Sequence, residues 1–139
     1  MTINLLERPG VASTQSDGAW FVEEAIVASP NEAACRKVAG FRHLGDGWAG
    51  PGSVAPSTET IATATEFAER LAVTCDAVSP LDDGEIMFEW DLEGDFSVYA
   101  HAKDSKIIVV ILDGEQNVEK ALAPGHAAEV VSGLVGDRV

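Results

Sequence analysis

Residues 85–102 read EIMFEWDLEGDFSVYAHA, and apolar and polar side chains alternate along both halves of this stretch. One side of each half carries large or small apolar residues at every second position. They are Ile86, Phe88 and Trp90 in the first half, and Phe96, Val98 and Ala100 in the second. A period of two is typical of a β-strand with one buried face. The stretch therefore predicts an antiparallel hairpin with one face in the core.

The length of the turn sets the register of this hairpin. A three-residue turn at Glu93-Gly94-Asp95 places Trp90 opposite Val98 and Phe88 opposite Ala100. A two-residue turn would pair apolar with polar residues and divide the apolar face, because a shift of one residue reverses the side on which every side chain lies. We therefore expect the three-residue turn, with Leu92 opposite Phe96.

A third strand follows at residues 106–112, and it is apolar on both sides. A three-residue turn at Lys103-Asp104-Ser105 would place one set of three residues on the core face: Ile108, Val110 and Leu112. The opposite face would then carry Ile107, Val109 and Ile111. An apolar back face needs a cover, which the C-terminal helix, the N-terminal arm or a second copy of the chain could supply. Ile107, Val109 and Ile111 are therefore candidates for self-association.

Helical patterns flank these strands. Apolar residues recur at helical spacing over Ser57–Ala72 and Ala123–Val135, and Ser29-Pro30 predicts the start of another helix, which ends near Gly45. Asp76–Gly84 is expected to be a loop, and 117–122 a short fourth strand. The element at 19–28 can be a strand or a short helix. The prediction is an α+β fold, in which an antiparallel meander of three to four strands packs on two or three helices. Residues 1–18 form an arm, and residues 19–139 form one domain.

A loop rich in glycine precedes the helix that begins at Ser57. It contains Trp48-Ala49-Gly50-Pro51-Gly52-Ser53, then Pro56-Ser57, and the Glu89-Trp90 pair lies in a later strand. Over residues 40–112 this pattern resembles a family of small uncharacterised bacterial and phage proteins. Their loop typically reads Trp-Asp-Gly, any residue, Gly, then Ala or Ser. The resemblance implies a fold more than an activity, and Ala49 stands where the family usually has Asp. Trp48 is expected to pack under its loop, or alternatively to bind a partner.

The charge of the chain is strongly negative and unevenly distributed. The formal net charge is −14, and residues 76–119 hold twelve acidic and two basic residues. Such a field repels nucleic acid and anionic membranes and attracts basic proteins. The longest apolar run, residues 107–112, is too short to span a membrane. The two cysteines, Cys35 and Cys75, are expected to be free thiols, and the N-terminus shows no leader pattern. We therefore expect a cytoplasmic protein.

Polar residues of the predicted hairpin share one sheet face and are the candidate binding residues. They are Glu89, Asp91, Tyr99 and His101. A carboxylate, a phenol and an imidazole can perform acid–base chemistry, but the sequence places no nucleophile beside them. The three histidines have no spacing that suits a metal, and Asp91–Asp95 lacks the ligand pattern of a calcium loop. We therefore expect no metal and no cofactor.

Three functional hypotheses follow. The first is a non-enzymatic acidic protein-interaction or regulatory module, whose sharpest form is an acidic mimic of nucleic acid that binds a basic protein. The second is a small enzyme that uses Glu89, Tyr99 and His101. The third is a homodimer built through Ile107, Val109 and Ile111. The sequence favours the first, which the third overlaps, and it predicts a protein partner or a second copy, with neither nucleic acid nor membrane.

Overall fold

The structure is a computed structural model, and it describes residues 31–137. The predicted arm at 1–18, the predicted element at 19–28 and the predicted helix start at Ser29 lie outside these residues. The described part of the chain forms three helices and five strands. The helices are α1 (Glu32–Phe41), α2 (Thr58–Glu69) and α3 (Pro124–Gly136). The strands are β1 (Ala77–Pro80), β2 (Ile86–Asp91), β3 (Phe96–Lys103), β4 (Lys106–Asp113) and β5 (Gln116–Leu122).

The five strands form one antiparallel sheet in the order β1-β2-β3-β4-β5. The α+β fold is therefore as expected, but the sheet has five strands rather than three or four. The strand that sequence analysis missed is β1, which lies inside the segment expected to be a loop. Val78 of β1 is buried opposite Phe88. Pro80 ends this strand at the edge of the sheet, where the missing N–H costs no ladder bond.

The register of the first hairpin agrees with the prediction. Phe88 pairs with Ala100 and Trp90 with Val98, and the backbone N–H of Leu92 donates to the carbonyl of Phe96 at 3.0 Å. All four paired residues are 0–1% exposed. The odd-length turn therefore brings the apolar side of β2 and the apolar side of β3 onto the same face.

The register predicted for the second hairpin is wrong by one residue. Lys103 pairs with Lys106, so that the turn contains only Asp104 and Ser105, and Asp104 has a φ of +54°. This shift turns every side chain of β4 to the other face. Ile107 and Val109 consequently lie in the core at 0% and 2% exposure, and half-buried Ile111 packs against it. These three residues therefore do not form the uncovered back of the sheet. That face carries Ile108, Val110 and Leu112.

All three helices contribute to the core on one side of the sheet. The middle helix, α2, contacts both α1 and α3 as well as strands β2, β3 and β4. It begins where expected, because the Ser57 hydroxyl accepts a hydrogen bond from the Thr60 N–H at 3.1 Å. Phe67 of α2 meets Phe88 edge to face, with ring centroids 4.8 Å apart, and Trp90 at 6.4 Å. Burying an aromatic ring of this kind contributes about 2–3 kcal/mol.

Two polar residues of α2, Thr60 and Thr63, lie on its buried side. Thr63 is 6% exposed, and its hydroxyl donates to the carbonyl of Asp104 in the β3–β4 turn. The N–H of Asp104 in turn donates to the Thr60 hydroxyl at 3.0 Å. Two threonines of α2 therefore hold the turn that sets the register of β4.

Candidate functional site

The side of the sheet opposite the helices is uncovered within residues 31–137. We call it the open face, and its central residues come from β2, β3 and β4. They are Met87 and Glu89 on β2, Ser97, Tyr99 and His101 on β3, and Ile108, Val110 and Leu112 on β4. All of them are half-buried. Apolar residues grouped on an exposed surface typically mark an interaction site.

The apolar part of the open face is continuous across neighbouring strands. Val110 pairs with Tyr99, and Ile108 pairs with His101, which in turn pairs with Met87. The outermost strand, β5, adds Glu119 opposite Val110 and Ala121 opposite Ile108. An aliphatic strip on β4 is thus flanked by an aromatic ring on one side and by polar side chains at its margins.

The polar residues predicted to share this face do so. Glu89 and Tyr99 are direct cross-strand neighbours. The Ser97 hydroxyl donates a hydrogen bond to Asp91 Oδ1 at 3.4 Å. Sequence analysis missed the residue that engages His101, however. Glu85 lies in the turn before β2, and its Oε1 is 3.2 Å from His101 Nδ1. The alternation of polar and apolar residues in β2 extends back to Glu85, so the sequence pattern could have placed Glu85 on the same face as His101.

Two surface cavities lie near the β3–β4 turn, and neither is lined by Glu89, Tyr99 or His101. The smaller has a volume of about 160 Å³ and lies between the start of α2 and the turns before β2 and after β3. Its polar lining includes Ser57, Thr60, Asp83, Glu85, Lys103 and Asp104. Lys103 Nζ is 3.9 Å from Glu85 Oε2, so the one ammonium group of this lining pairs with one of its three carboxylates.

The larger cavity has a volume of about 400 Å³ and opens beside the open face. We call it the lysine cavity. Its apolar lining comes from Ile108 and Ala121, and Lys103 and Lys106 belong to its rim together with residues of the turn. It therefore combines an apolar surface with two lysines and the carboxylate of Asp104.

The opposite end of the sheet is acidic. The β2–β3 turn and the β4–β5 turn meet there, because the N–H of Gly114 donates to the carbonyl of Asp95 at 2.9 Å. The acidic end consists of five exposed carboxylates: Asp91, Glu93, Asp95, Asp113 and Glu115. Eight-residue strands separate this end from the lysine cavity by about 25 Å, at about 3.3 Å per residue. Acidic side chains are thus concentrated at this end, whereas the other end carries both lysines and carboxylates.

The glycine-rich loop that contains Trp48 is built as a structural element. Trp48 Nε1 donates to the carbonyl of Val54 at 3.2 Å, and the Ser53 hydroxyl donates to the carbonyl of Gly50 at 2.7 Å. Gly50 has a φ of +118°, which a residue with a Cβ rarely adopts. The N–H of Val54 then donates to the carbonyl of Asp82 at 2.8 Å, which fixes the loop to the turn before β2. Half-buried Trp48 therefore closes its own loop, and the Ala49 side chain is exposed.

The cysteines are free and half-buried. Burial raises the pKa of the Cys75 thiol, and the carboxylate of Asp76 acts in the same direction against a backbone hydrogen bond and Lys37, which lower it. Burial also raises the pKa of the Cys35 thiol, with a further contribution from Glu69. A raised pKa reduces the thiolate fraction, so that neither site favours nucleophilic chemistry.

Within residues 31–137, no three His, Cys, Asp or Glu side chains are arranged to hold a metal ion. The helices of this part of the chain are also too short or too polar to cross a bilayer. In comparisons with known proteins, no family model, no curated protein and no solved structure matches the chain. The case for a function therefore rests on the open face and on the acidic end of the sheet.

Proposed function

We propose that this protein is a non-enzymatic protein-interaction module that binds its partner through the open face. The observation that carries the proposal is the strip of Ile108, Val110 and Leu112, which has no covering layer within the described residues. On the other side of the same sheet, helices α2 and α3 contact β4, and its residues Ile107 and Val109 are buried. A cytoplasmic location and a relationship to the bacterial and phage family with the Trp-Asp-Gly loop are part of the same proposal.

The charge distribution supports a protein partner over a nucleic acid. The net charge of −14 repels phosphate backbones, and the acidic end would meet them with five carboxylates. Those same carboxylates are exposed in two turns and at the strand ends beside them, where a basic protein could reach them. Mimicry of nucleic acid thus remains one form that the interaction can take. The open face, however, also offers an apolar strip that a purely electrostatic mimic would not need.

An enzymatic role through Glu89, Tyr99 and His101 has less support. These side chains lie on an open surface, and the two cavities near the β3–β4 turn lack all three. Catalytic groups act best in sites that exclude water and hold the substrate. His101 is also engaged by Glu85 rather than by Glu89 or Tyr99.

Photo-crosslinking in the native host tests the proposal. A photoreactive phenylalanine analogue at Val110 should form a covalent adduct with a defined protein, identified by mass spectrometry. The matched control carries the same analogue at Ala62, an exposed residue of α2 on the opposite side of the molecule, and should form no such adduct. An Ile108→Glu change should abolish the adduct at Val110. Equal labelling from both positions, or no protein adduct from Val110, would overturn the proposal.

A further inference from the structure

We propose that strand β5 takes up an extended segment of another protein, which adds to the sheet as a sixth strand antiparallel to β5. The interaction surface is the outer edge of β5, not the centre of the open face. Because this edge is separate from the strip of Ile108, Val110 and Leu112, strand addition does not depend on what covers that strip. Three observations carry the proposal: the unprotected length of the edge, the charges on its two sides, and the cavity near its end.

The two edges of the sheet differ in how they are protected. The β1 edge has only four residues, ends at Pro80 and is contacted by α1. The β5 edge has seven residues, contains neither proline nor glycine, and pairs with β4 along its whole length. Within residues 31–137, no strand lies on its outer side. About half of its residues therefore direct their N–H and C=O groups outward, which is the arrangement that strand addition uses.

Strand β5 also extends beyond the cover that the helices give to the rest of the sheet. Val118 lies on the helix side, opposite half-buried Ile111, yet it is 44% exposed. Lys120 lies on the same side opposite Val109, and it is exposed although Val109 is buried. An added strand would cover Val118 with a directly opposite residue, and an apolar residue suits that position.

The charges of β5 specify the neighbours that an added strand should carry. Glu119 lies on the open face, and Lys120 lies on the helix side. Directly opposed residues of an antiparallel pair lie on the same face, so a basic residue should oppose Glu119 and an acidic residue should oppose Lys120. From its N-terminus to its C-terminus, the added strand then carries an acidic residue, a basic residue and the apolar residue opposite Val118.

The lysine cavity lies beside the position that precedes this acidic residue. Ala121 is the residue that β5 contributes to the cavity lining, next to Ile108 of β4. A residue opposite Ala121 lies on the open face at the margin of the cavity, whose volume of about 400 Å³ accommodates an apolar side chain. In strand addition, pockets for alternate side chains give specificity. The complete pattern of the added strand is therefore apolar, acidic, basic and apolar at four consecutive positions.

A second copy of β5 does not provide this pattern. When two identical strands pair edge to edge around a twofold axis, each residue opposes a residue of the same face. Glu119 and Lys120 lie on opposite faces, so they cannot oppose each other. A pair centred on Glu119 opposes two carboxylates, and a pair centred on Val118 leaves Lys120 opposite Gln116. The net charge of −14 on each copy disfavours the contact further.

Peptide binding to the full chain, followed by NMR, tests the proposal. The probe is the peptide Thr-Leu-Glu-Arg-Val-Thr-Thr, in which Leu to Val are placed opposite Ala121, Lys120, Glu119 and Val118 in that order. We expect saturable binding, with amide shift changes concentrated on β5 and absent from β1. Two further probes carry N-methyl groups on alternate amides, one probe in each phase. The probe methylated on the side of β5 should bind at least about tenfold more weakly, whereas the other should retain its affinity.

A charge exchange tests the register. Glu119→Lys should weaken binding of the probe by about fivefold, and a probe with Glu in place of Arg should bind this variant more tightly than it binds the wild type. The matched control is Glu89→Lys, which makes the same charge change on the open face three strands away and should leave the affinity unchanged. Circular dichroism checks that both variants fold. Equal losses in the two variants, equal affinities of the two methylated probes, or no binding of any probe would overturn the proposal.

The outcomes separate strand addition from the proposed function. Probes that fail on β5, while Val110 still crosslinks to a defined protein in the native host, would overturn strand addition and leave the interaction module supported. A photoreactive residue at Val118 supports strand addition only if the crosslinked site of the other protein carries the four-residue pattern. A crosslink from Val118 to a site without that pattern, to a second copy or to residues 1–30 of its own chain would overturn it.

Discussion

The two faces of this sheet are made from the same strands but have opposite surroundings. On the helix side, Phe88, Val98 and Ile107 are 0% exposed and pack beneath three helices. On the open face, the residues that follow them in the chain, Glu89, Tyr99 and Ile108, are half-buried and have no covering layer within the described residues. In β2 and β3 the residue types differ between the faces, whereas in β4 both faces are aliphatic. The fold therefore assigns roles to the two sides of β4 that its composition does not distinguish.

The largest expected difference between the faces is measured at two adjacent isoleucines. Ile107→Ala should lower the free energy of unfolding by about 2–5 kcal/mol, because it leaves a cavity in a closed core. Ile108→Ala should lower it by about 1 kcal/mol or less, since the side chain is only half-buried. Urea denaturation of the two variants beside the wild type provides the measurement. The opposite ranking would show that β4 adopts the other register.

A smaller effect on the free energy of unfolding is expected at the hydrogen bond that joins helix α2 to the β3–β4 turn. Thr63→Val keeps the shape of the side chain but removes the donor to the Asp104 carbonyl, which should cost about 1 kcal/mol. Thr65→Val is the matched control, because that hydroxyl donates only within its own helix, to the carbonyl of Ile61 at 2.8 Å. Thermal or urea unfolding compares the two variants. Equal costs would mean that the bond to the turn adds nothing beyond local helix structure.

The smallest effect concerns the reactivity of a thiol rather than stability. Cys75 packs against the helix-side core, and burial raises its pKa. The thiolate is the species that reacts with iodoacetamide, so the pH midpoint for alkylation should lie higher in the folded chain than in urea. In a Cys35→Ser variant, Cys75 is the only thiol that iodoacetamide can alkylate. Coinciding midpoints in the two states would contradict the burial of this side chain.

The first hairpin could be predicted from the sequence, and the second could not, for a definite reason. Around Glu93-Gly94-Asp95, only an odd-length turn keeps Trp90 with Val98 on one apolar side. In β4, either register brings aliphatic residues to the core, so that the hydrophobic pattern offers no choice. The structure settles the register through the β3–β4 turn, where Asp104 adopts a φ of +54° and α2 threonines bind its backbone. That contact joins residues 41 and 44 positions apart.

The candidate site could be predicted only where the alternation of polar and apolar residues fixes the face of a strand. Residue parity alone places Glu89, Tyr99 and His101 on one face. The acidic end could not be predicted without the topology, because Asp91 and Glu115 lie at the same end only when the β2–β3 and β4–β5 turns meet there. The exposed aliphatic strip was assigned to the wrong residues, since its identity depends on the register of β4.

The position of α3 at the end of the described chain has a consequence for synthesis on the ribosome. All five strands pair with sequence neighbours, so the meander can form as it emerges. Helix α3, which contacts both β4 and α2, is however translated after the strand, because residues 124–136 follow residues 106–113 in the chain. Until residues 124–136 leave the exit tunnel, Ile107 and Val109 lack that cover, and the nascent sheet presents apolar surface on both sides. This interval is when a chaperone would have most to bind, and a ribosome stalled before Pro124 would display it.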